Sequence, residues 1–290
     1  MSSTVGEVLA AATARLRGAA SPTPRLDAEV LLGHALGRER SWLLAHPEAP
    51  IDAGPFDGLL ARRAAGEPVA YLRGFKEWHG LRIRTDRRAL IPRPETELLY
   101  ELAEAVIAER LGPGDQEVVA WEVATGSGAV TVALAHRFRT AVESRVLRLV
   151  ASDISPDALE LTAENLAANG VARLVEVICA DLLEPAGSSL PRPDVVVANL
   201  PYVPADEALA PERGLGHEPR IAVDGGDDGL AVLRRLLAEA PSRATPGATV
   251  LLEIGIGQAA AVAGLAPEGS SVTVAADLAG IERVVRVDLP

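Results

Sequence analysis

Apolar residues fall at helical spacing over residues 5–16, and the pattern stops near Gly18. Ser21, Pro22, Thr23 and Pro24 interrupt it, and it resumes over 27–36 until Gly37. Ser41 stands where it would cap a short helix carrying Trp42, Leu43 and Leu44, and 56–65 predicts a further helix ended by Gly66. The period then changes. Residues 80–85 alternate apolar and polar, a strand pattern, and 91–96 form a rigid connector with prolines at 92 and 94. Glu95 or Thr96 opens a helix that runs to about Arg110. From 117 onward strand and helix patterns alternate. Strands are predicted over 117–124, 146–153, 175–180, 194–199, 249–255, 271–275 and 283–289, with helices over 129–138, 155–169 and 229–240. That alternation implies a mainly parallel sheet with helices on both faces. The predicted organisation is a helical domain over 1–74, a β-hairpin and proline linker over 75–95, and an α/β domain over 96–290.

Composition narrows the function classes. A chain of 290 residues that is 48% hydrophobic and 23% charged has ordinary globular usage, which excludes wholesale disorder and fibrous structure. Acidic residues outnumber basic ones by 40 to 28, a net charge of −12. Non-specific binding to nucleic-acid phosphates needs clustered cations, so this balance disfavours it and leaves a basic protein partner open. Cys179 is the only cysteine, so neither an internal disulfide nor a cysteine zinc cluster is available, and a reducing, cytoplasmic setting fits. Residues 1–20 carry Glu7 and lack a basic segment followed by an apolar block, so no signal peptide is expected, and no apolar run is long enough for a membrane span. The five histidines show no metal-ligand spacing, so no metal is expected. Cys179 is expected to be a small buried hydrophobe, and Trp42, Trp78 and Trp121 packing residues. Glu95 and Glu97 read as structural groups at the connector, with Arg93 paired to an acid.

Three motifs carry the chemistry. Glu122, Val123, Ala124, Thr125, Gly126, Ser127 and Gly128 lie between a predicted strand and helix. Small residues there let the backbone approach a ligand, and the helix N-terminus offers free N–H groups. The nicotinamide fingerprint would require a later glycine where Val130 and Thr131 stand; an acid followed by close glycines suits S-adenosylmethionine. A tight strand-to-helix turn is the competing use. Asp153 ends the next strand, where an acid accepts ribose hydroxyls or caps the helix that follows. Asp181, after the third strand, suits an adenine amino group or simple solvation. Asn199, Leu200, Pro201 and Tyr202 follow a strictly apolar strand. An amide nitrogen is a poor nucleophile because its lone pair is delocalised. Two acceptors, the Asn199 side-chain oxygen and the Leu200 carbonyl, would take both its N–H bonds and aim the lone pair at a methyl group, with Tyr202 as a wall. Such catalysis works by positioning. A proline-terminated strand with an Asx turn is the alternative.

These motifs, with Gly66 to Leu72, Leu90 to Leu98, Glu218-Pro219-Arg220, Asp224-Gly225-Gly226 and Leu252 to Gly255, occur in an order that resembles the HemK-type glutamine-N5 methyltransferases of peptide chain release factors. The resemblance covers nearly the whole chain. It implies a class I S-adenosylmethionine-dependent fold, Rossmann-like with a mostly parallel seven-stranded sheet, preceded by a helical substrate-recognition domain. It implies methylation of the glutamine amide in a Gly-Gly-Gln motif, with the enzyme expected to act as a monomer. Cofactor residues fall on Glu122, Ala124, Thr125, Gly126, Ser127, Gly128, Asp153, Ile154, Asp181, Leu182 and Asn199, and catalytic ones on Asn199, Leu200, Pro201 and Tyr202.

Two positions depart from the family pattern. Leu200 replaces a proline, keeping the carbonyl but bringing a larger side chain to the acceptor pocket. Ala124 replaces a glycine and is expected to be tolerated only at negative φ. These departures raise two alternatives: a paralogue that methylates a guanidine or amide nitrogen of a small metabolite, and an inactive binding module.

Overall fold

The computed structural model describes residues 3–112, 117–208 and 216–290. The chain divides into two compact units, Met1–Phe75 and Lys76–Pro290.

The first unit contains β1 (Ser3–Thr4), α1 (Val5–Gly18), α2 (Pro24–Leu36), α3 (Arg40–Ala45), β2 (Pro50–Ile51), α4 (Gly54–Ala64) and α5 (Val69–Arg73). Thr4 caps α1 reciprocally with Glu7: its hydroxyl accepts the Glu7 N–H while the Glu7 carboxylate accepts the Thr4 N–H. Pro24 sits in the first turn of α2, where its missing N–H is not needed, and Gly37 ends that helix at φ 62°. Leu9, Leu16, Leu31, Leu32 and Phe56 bury the apolar faces against one another. Ser41 does not cap α3. The first turn closes two residues earlier, on the Glu39 carbonyl, which accepts the Trp42 N–H at 3.0 Å.

From Phe75 onward the elements run β3 (Phe75–Trp78), β4 (Leu81–Arg84), α6 (Thr96–Arg110), β5 (Val118–Val123), α7 (Ala129–Arg137), α8 (Arg139–Glu143), β6 (Leu147–Asp153), α9 (Pro156–Ala168), β7 (Val175–Cys179), β8 (Val195–Ala198), α10 (Ala205–Ala208), α11 (Ala231–Arg243), β9 (Thr249–Glu253), α12 (Ala259–Ala263), β10 (Ser271–Ala276) and β11 (Glu282–Asp288). Strands β3 and β4 pair across His79 and Gly80, whose φ values of 46° and 72° suit a tight two-residue turn.

The main sheet has seven strands in the order β10-β11-β9-β8-β5-β6-β7, parallel from β9 to β7 and antiparallel at β11 and β10. This is the expected mostly parallel architecture. Strand β8 shows why the middle is continuous apolar sequence: Val195 and Val197 pack into one core layer with Leu99 and Ile107, while Val196 and Ala198 pack into the other with Leu233 and Leu252. Trp121 is fully buried on β5, and its indole N–H donates to Ser152 Oγ at 2.8 Å. Cys179 is exposed, contrary to expectation. It ends β7, the edge strand, where the apolar pattern of a strand no longer guarantees cover.

The chain builds β5, β6 and β7 outward in one direction, then returns to place β8 on the other side of β5. The crevice where the strand order reverses, at the carboxyl ends of β5 and β8, is the general ligand position of open α/β sheets.

Candidate active site

A cavity of about 570 Å³ opens at this switch point, within the volume range of ligand pockets. It is lined by twelve of the predicted positions: Glu122, Ala124, Thr125, Gly126, Ser127, Asp153, Ile154, Asp181, Leu182, Asn199, Leu200 and Pro201. Gly128 and Tyr202 are not among the lining residues. Asn199 and the glycine turn, far apart in sequence, thus share one chamber.

The turn after β5 is bent by three left-handed residues, Ala124 at φ 54°, Gly126 at 59° and Gly128 at 77°. Ala124 therefore does not adopt the negative φ expected for it. Its neighbours fix the backbone: Thr125 N–H donates to Ser152 O at 2.9 Å and Gly126 N–H to Asp153 Oδ2 at 2.9 Å. Helix α9 closes the turn from the other side. Thr162 Oγ1 donates to Gly126 O at 2.9 Å and Asn165 Nδ2 to Ser127 O at 2.8 Å. These bonds hold Ala124 in a region that costs an L-residue roughly 1–2 kcal/mol. Gly128 serves packing: a Cβ there would lie 2.9 Å from Thr162 Cγ2.

Glu122 braces this turn. Its Oε2 accepts Thr125 Oγ1–H at 2.9 Å, Thr131 N–H at 2.9 Å and the Thr131 hydroxyl. Burial pushes its carboxyl up to about 7 despite these donors. Asp153 accepts from Gly126 on one oxygen and from Ser155 N–H, at 2.9 Å, on the other. Burial raises its pKa, and the backbone N–H groups oppose that shift. The cap of α9 is the Ser155 hydroxyl, accepting Ala158 N–H at 3.3 Å; Asp153 joins two loops and lines the cavity. Asp181 Oδ2 accepts from Arg235 Nη2 at 2.7 Å, and the following Leu182 is a further left-handed residue at φ 52°.

At the other end, Asn199 Nδ2 donates to Thr96 Oγ1 at 3.2 Å. Leu200 borders the cavity with 1% of its surface exposed, its side chain lying in the apolar cluster with Leu230 and Leu233. Tyr202 donates its hydroxyl to Glu253 Oε1 at 3.2 Å, and burial raises its pKa. A glycine loop carries the backbone of this segment: Gly225 N–H donates to Val203 O at 2.8 Å, and a Cβ on Gly225 would lie 2.7 Å from Pro201 O.

Sequence reasoning missed the strap 88–93, which lines the cavity instead of serving only as a connector. It is held by Glu218, which accepts the Ile91 N–H at 3.1 Å and the Arg93 guanidinium. Arg88 is fixed between Asp86 and Glu164. Arg220, Ile221, Val232 and Arg235 also line the cavity. The Glu218-Pro219-Arg220 motif was the available signal for part of this wall. Glu97 accepts the His79 N–H at 3.3 Å, and Glu95 stands 4.0 Å from Arg283. Among the described residues no cluster of metal-ligating side chains is present, and no helix is long and apolar enough to cross a membrane.

Comparison with known proteins shows the family of the chain. Residues 7–74 match the PrmC N-terminal domain family. A release factor glutamine methyltransferase of Moorella thermoacetica is 40% identical, the match covering 91% of this chain and 89% of that protein. One from Deinococcus radiodurans is 38% identical over 97% of this chain and 96% of its own length. Among solved structures, the hMettl16 catalytic domain in complex with the MAT2A 3'UTR hairpin 6 superposes with a TM-score of 0.53 at 13% identity, covering 80% of this chain and 84% of that one. At 13% identity the likeness to hMettl16 concerns the fold alone. Close similarity over nearly the full length shows that the chain belongs to the release factor glutamine methyltransferase family.

Proposed function

We propose that this protein transfers a methyl group from S-adenosylmethionine to the side-chain amide nitrogen of the Gly-Gly-Gln glutamine of a peptide chain release factor. The observation that carries the reading is the shared chamber: the acceptor-type residue Asn199 and the glycine turn face one cavity at the switch point of the sheet.

The lining fits the methyl donor. Asp153 offers a carboxylate to sugar hydroxyls, and Ile154 and Leu182 offer apolar surface to a flat ring. The turn 124–128 brings backbone close, and α7 directs its first N–H groups towards the anionic end of a ligand. Asp181 reads a ring amino group, with Arg235 fixing its carboxylate. Bound there, S-adenosylmethionine supplies an electrophilic methyl carbon. The chain's own residues bind and orient the acceptor. Asn199 Oδ1 and the Leu200 carbonyl take the two N–H bonds of the glutamine amide, which raises electron density on nitrogen and points its lone pair at the methyl. The amide nitrogen would form the new bond to the methyl carbon as the donor's carbon–sulfur bond breaks, the electron pair going to sulfur to leave a neutral thioether, and would give one proton to solvent. No strong base is required, and the gain comes from orientation. Tyr202 lies outside the cavity lining with its hydroxyl held by Glu253, and the helical unit recognises the protein substrate. The enzyme acts as a monomer in the cytoplasm, with neither nucleic acid nor membrane as partner.

The metabolite reading rested on Leu200 crowding the pocket. Burial of that side chain in the core removes the crowding, so no observation favours that alternative. Incubation with methyl-labelled S-adenosylmethionine and a release factor, followed by peptide mapping, tests the proposal. Label on the glutamine of the Gly-Gly-Gln motif is expected. Its absence there, with donor binding intact, would overturn the reading.

A further inference from the structure

A backbone N–H can serve a ligand only if its peptide is held from behind. In the turn 124–128 two successive peptides are held by one face of α9. Thr162 Oγ1 donates to Gly126 O at 2.9 Å, and Asn165 Nδ2 donates to Ser127 O at 2.8 Å. In a trans peptide the N–H points opposite to the carbonyl of the same unit. Fixing Gly126 O on α9 therefore turns the Ser127 N–H away from that helix. Fixing Ser127 O turns away the Gly128 N–H, which donates to Thr125 O at 2.8 Å. Ser127 is thus clamped through both of its peptides. It is 5% exposed and lines the cavity, and among the described residues neither its N–H nor its hydroxyl has a partner. Two buried donors without acceptors, just before α7, suit an anion.

Asn165 is fully buried, lies outside the cavity lining, and has every polar group of its side chain committed. Oδ1 accepts the Arg84 N–H at 2.7 Å, and Nδ2 gives its two protons to Arg84 O at 3.1 Å and Ser127 O at 2.8 Å. A flipped amide would set its oxygen against two carbonyl oxygens, so these partners leave one orientation. Arg84 ends β4, and the hairpin and the turn therefore hang on the same side chain. We propose that Asn165 is a positioning residue for the methyl donor: by bracing Ser127 O against β4, it holds the Ser127 N–H and hydroxyl towards the carboxylate of the donor's amino-acid end. This rests on the donor site assigned above.

The test compares two ligands on the full chain. S-adenosylmethionine carries the carboxylate; 5′-methylthioadenosine keeps the sugar and ring but lacks the amino-acid end. Asn165→Leu removes the donor group at similar size, and Asn165→Asp keeps the shape and an acceptor for the Arg84 N–H; thermal melting checks that each folds. In Asn165→Leu the dissociation constant for S-adenosylmethionine is expected to rise on the order of 10-fold, the scale of one hydrogen bond to a charged group, and that for 5′-methylthioadenosine by less than about twofold. A carboxylate at 165 has no proton for either carbonyl, but burial against two acceptors favours its protonated form, which donates again. The ratio of Asn165→Asp to wild-type dissociation constants for S-adenosylmethionine should therefore fall towards one as the pH is lowered from 8 to 5.5. Titration of Glu122, Asp153 and Glu164, present in both proteins, cancels in that ratio. In ¹H–¹⁵N spectra of the wild type, the Ser127 amide signal should shift with S-adenosylmethionine and stay in place with 5′-methylthioadenosine. Equal loss of both ligands, or unchanged affinity for S-adenosylmethionine in Asn165→Leu, would overturn the proposal. If that variant does not fold, Asn165→Asp decides on the same two ligands. A Ser127 amide that ignores bound S-adenosylmethionine in the wild type refutes the donor-site reading itself.

Discussion

Alanine placed at Gly126 and at Gly128 separates backbone strain from steric clash within one turn. Both glycines have positive φ, 59° and 77°. Each substitution therefore meets a left-handed penalty of roughly 1–2 kcal/mol. About 0.4–1 kcal/mol of this is offset by the smaller conformational freedom of unfolded alanine. At Gly126 the new Cβ has nothing nearer than 3.9 Å, so the net loss is about 0–1.6 kcal/mol. At Gly128 the new methyl falls 2.9 Å from Thr162 Cγ2 and 3.3 Å from its Cβ and Oγ1. Thr162 is buried and branched, and turning it aside breaks its bond to Gly126 O at 2.9 Å. Overpacking of that kind adds roughly 1–3 kcal/mol, for a total of about 1–4.6 kcal/mol. Urea unfolding at constant slope measures the difference. Calorimetric titration with S-adenosylmethionine should reverse the ranking per unit of stability lost, since Gly126 lines the cavity and Gly128 does not. Ala124 already sits at φ 54° with a Cβ in place, which shows that strain alone is compatible with this turn. Equal destabilisation of the two variants, or a milder effect at Gly128, would refute the reasoning that Thr162 sets the limit.

Three further outcomes are expected. Glu122 has its carboxyl raised from an ordinary 4.5 to about 7 by burial, so the folded state holds a proton that the unfolded state releases. Stability from this group is complete below about pH 4.5 and declines by about 3 kcal/mol as pH rises through 7; wild type compared with Glu122→Gln in denaturant at pH 5.5 and pH 8 measures it, and a pH-independent difference would count against it. Asp153→Asn leaves one acceptor oxygen for the N–H groups of Gly126 and Ser155, which should cost about 1–3 kcal/mol and weaken donor binding in a calorimetric titration. Glu218→Ala removes the acceptor from Ile91 N–H and the Arg93 guanidinium; a loss of about 2 kcal/mol is expected, reduced from the fully buried case because Arg93 is part exposed, with hydrogen exchange at the Ile91 amide speeding up.

The sheet was legible because its strands are buried on both faces and write themselves as apolar runs such as 195–198, with glycine, proline and acidic residues punctuating the ends. The two-residue strands β1 and β2 are too short for any period to mark them. The strap was read only as a connector because its partner Glu218 lies 127 positions from Ile91, and nothing local in 88–93 announces that distance. Ala124 shows a different limit. Residue identity predicts negative φ, but the bonds from Thr125 and Gly126 to the end of β6 impose the turn, and a methyl group is too small to prevent it. Cys179 was misplaced because periodicity identifies a strand without revealing whether that strand is central or at the edge.

Leu200 joins these levels. Proline and leucine differ in side chain and in φ freedom, yet the chemistry assigned to this position belongs to the backbone carbonyl. Pro201 keeps the residue before it extended. Gly225 lies against the Pro201 carbonyl, where a Cβ would stand at 2.7 Å, and pairs with Val203 at 2.8 Å. The path of residues 199–203 is therefore set by its neighbours on both sides, while the Leu200 side chain fills the apolar layer below with Leu230 and Leu233. The Asn199-to-Tyr202 and Asp224-to-Gly226 motifs, separate in sequence, form one physical unit in which the glycines hold the acceptor segment's backbone. A substitution at position 200 acts on core packing; a side chain added at Gly225 acts on the acceptor itself.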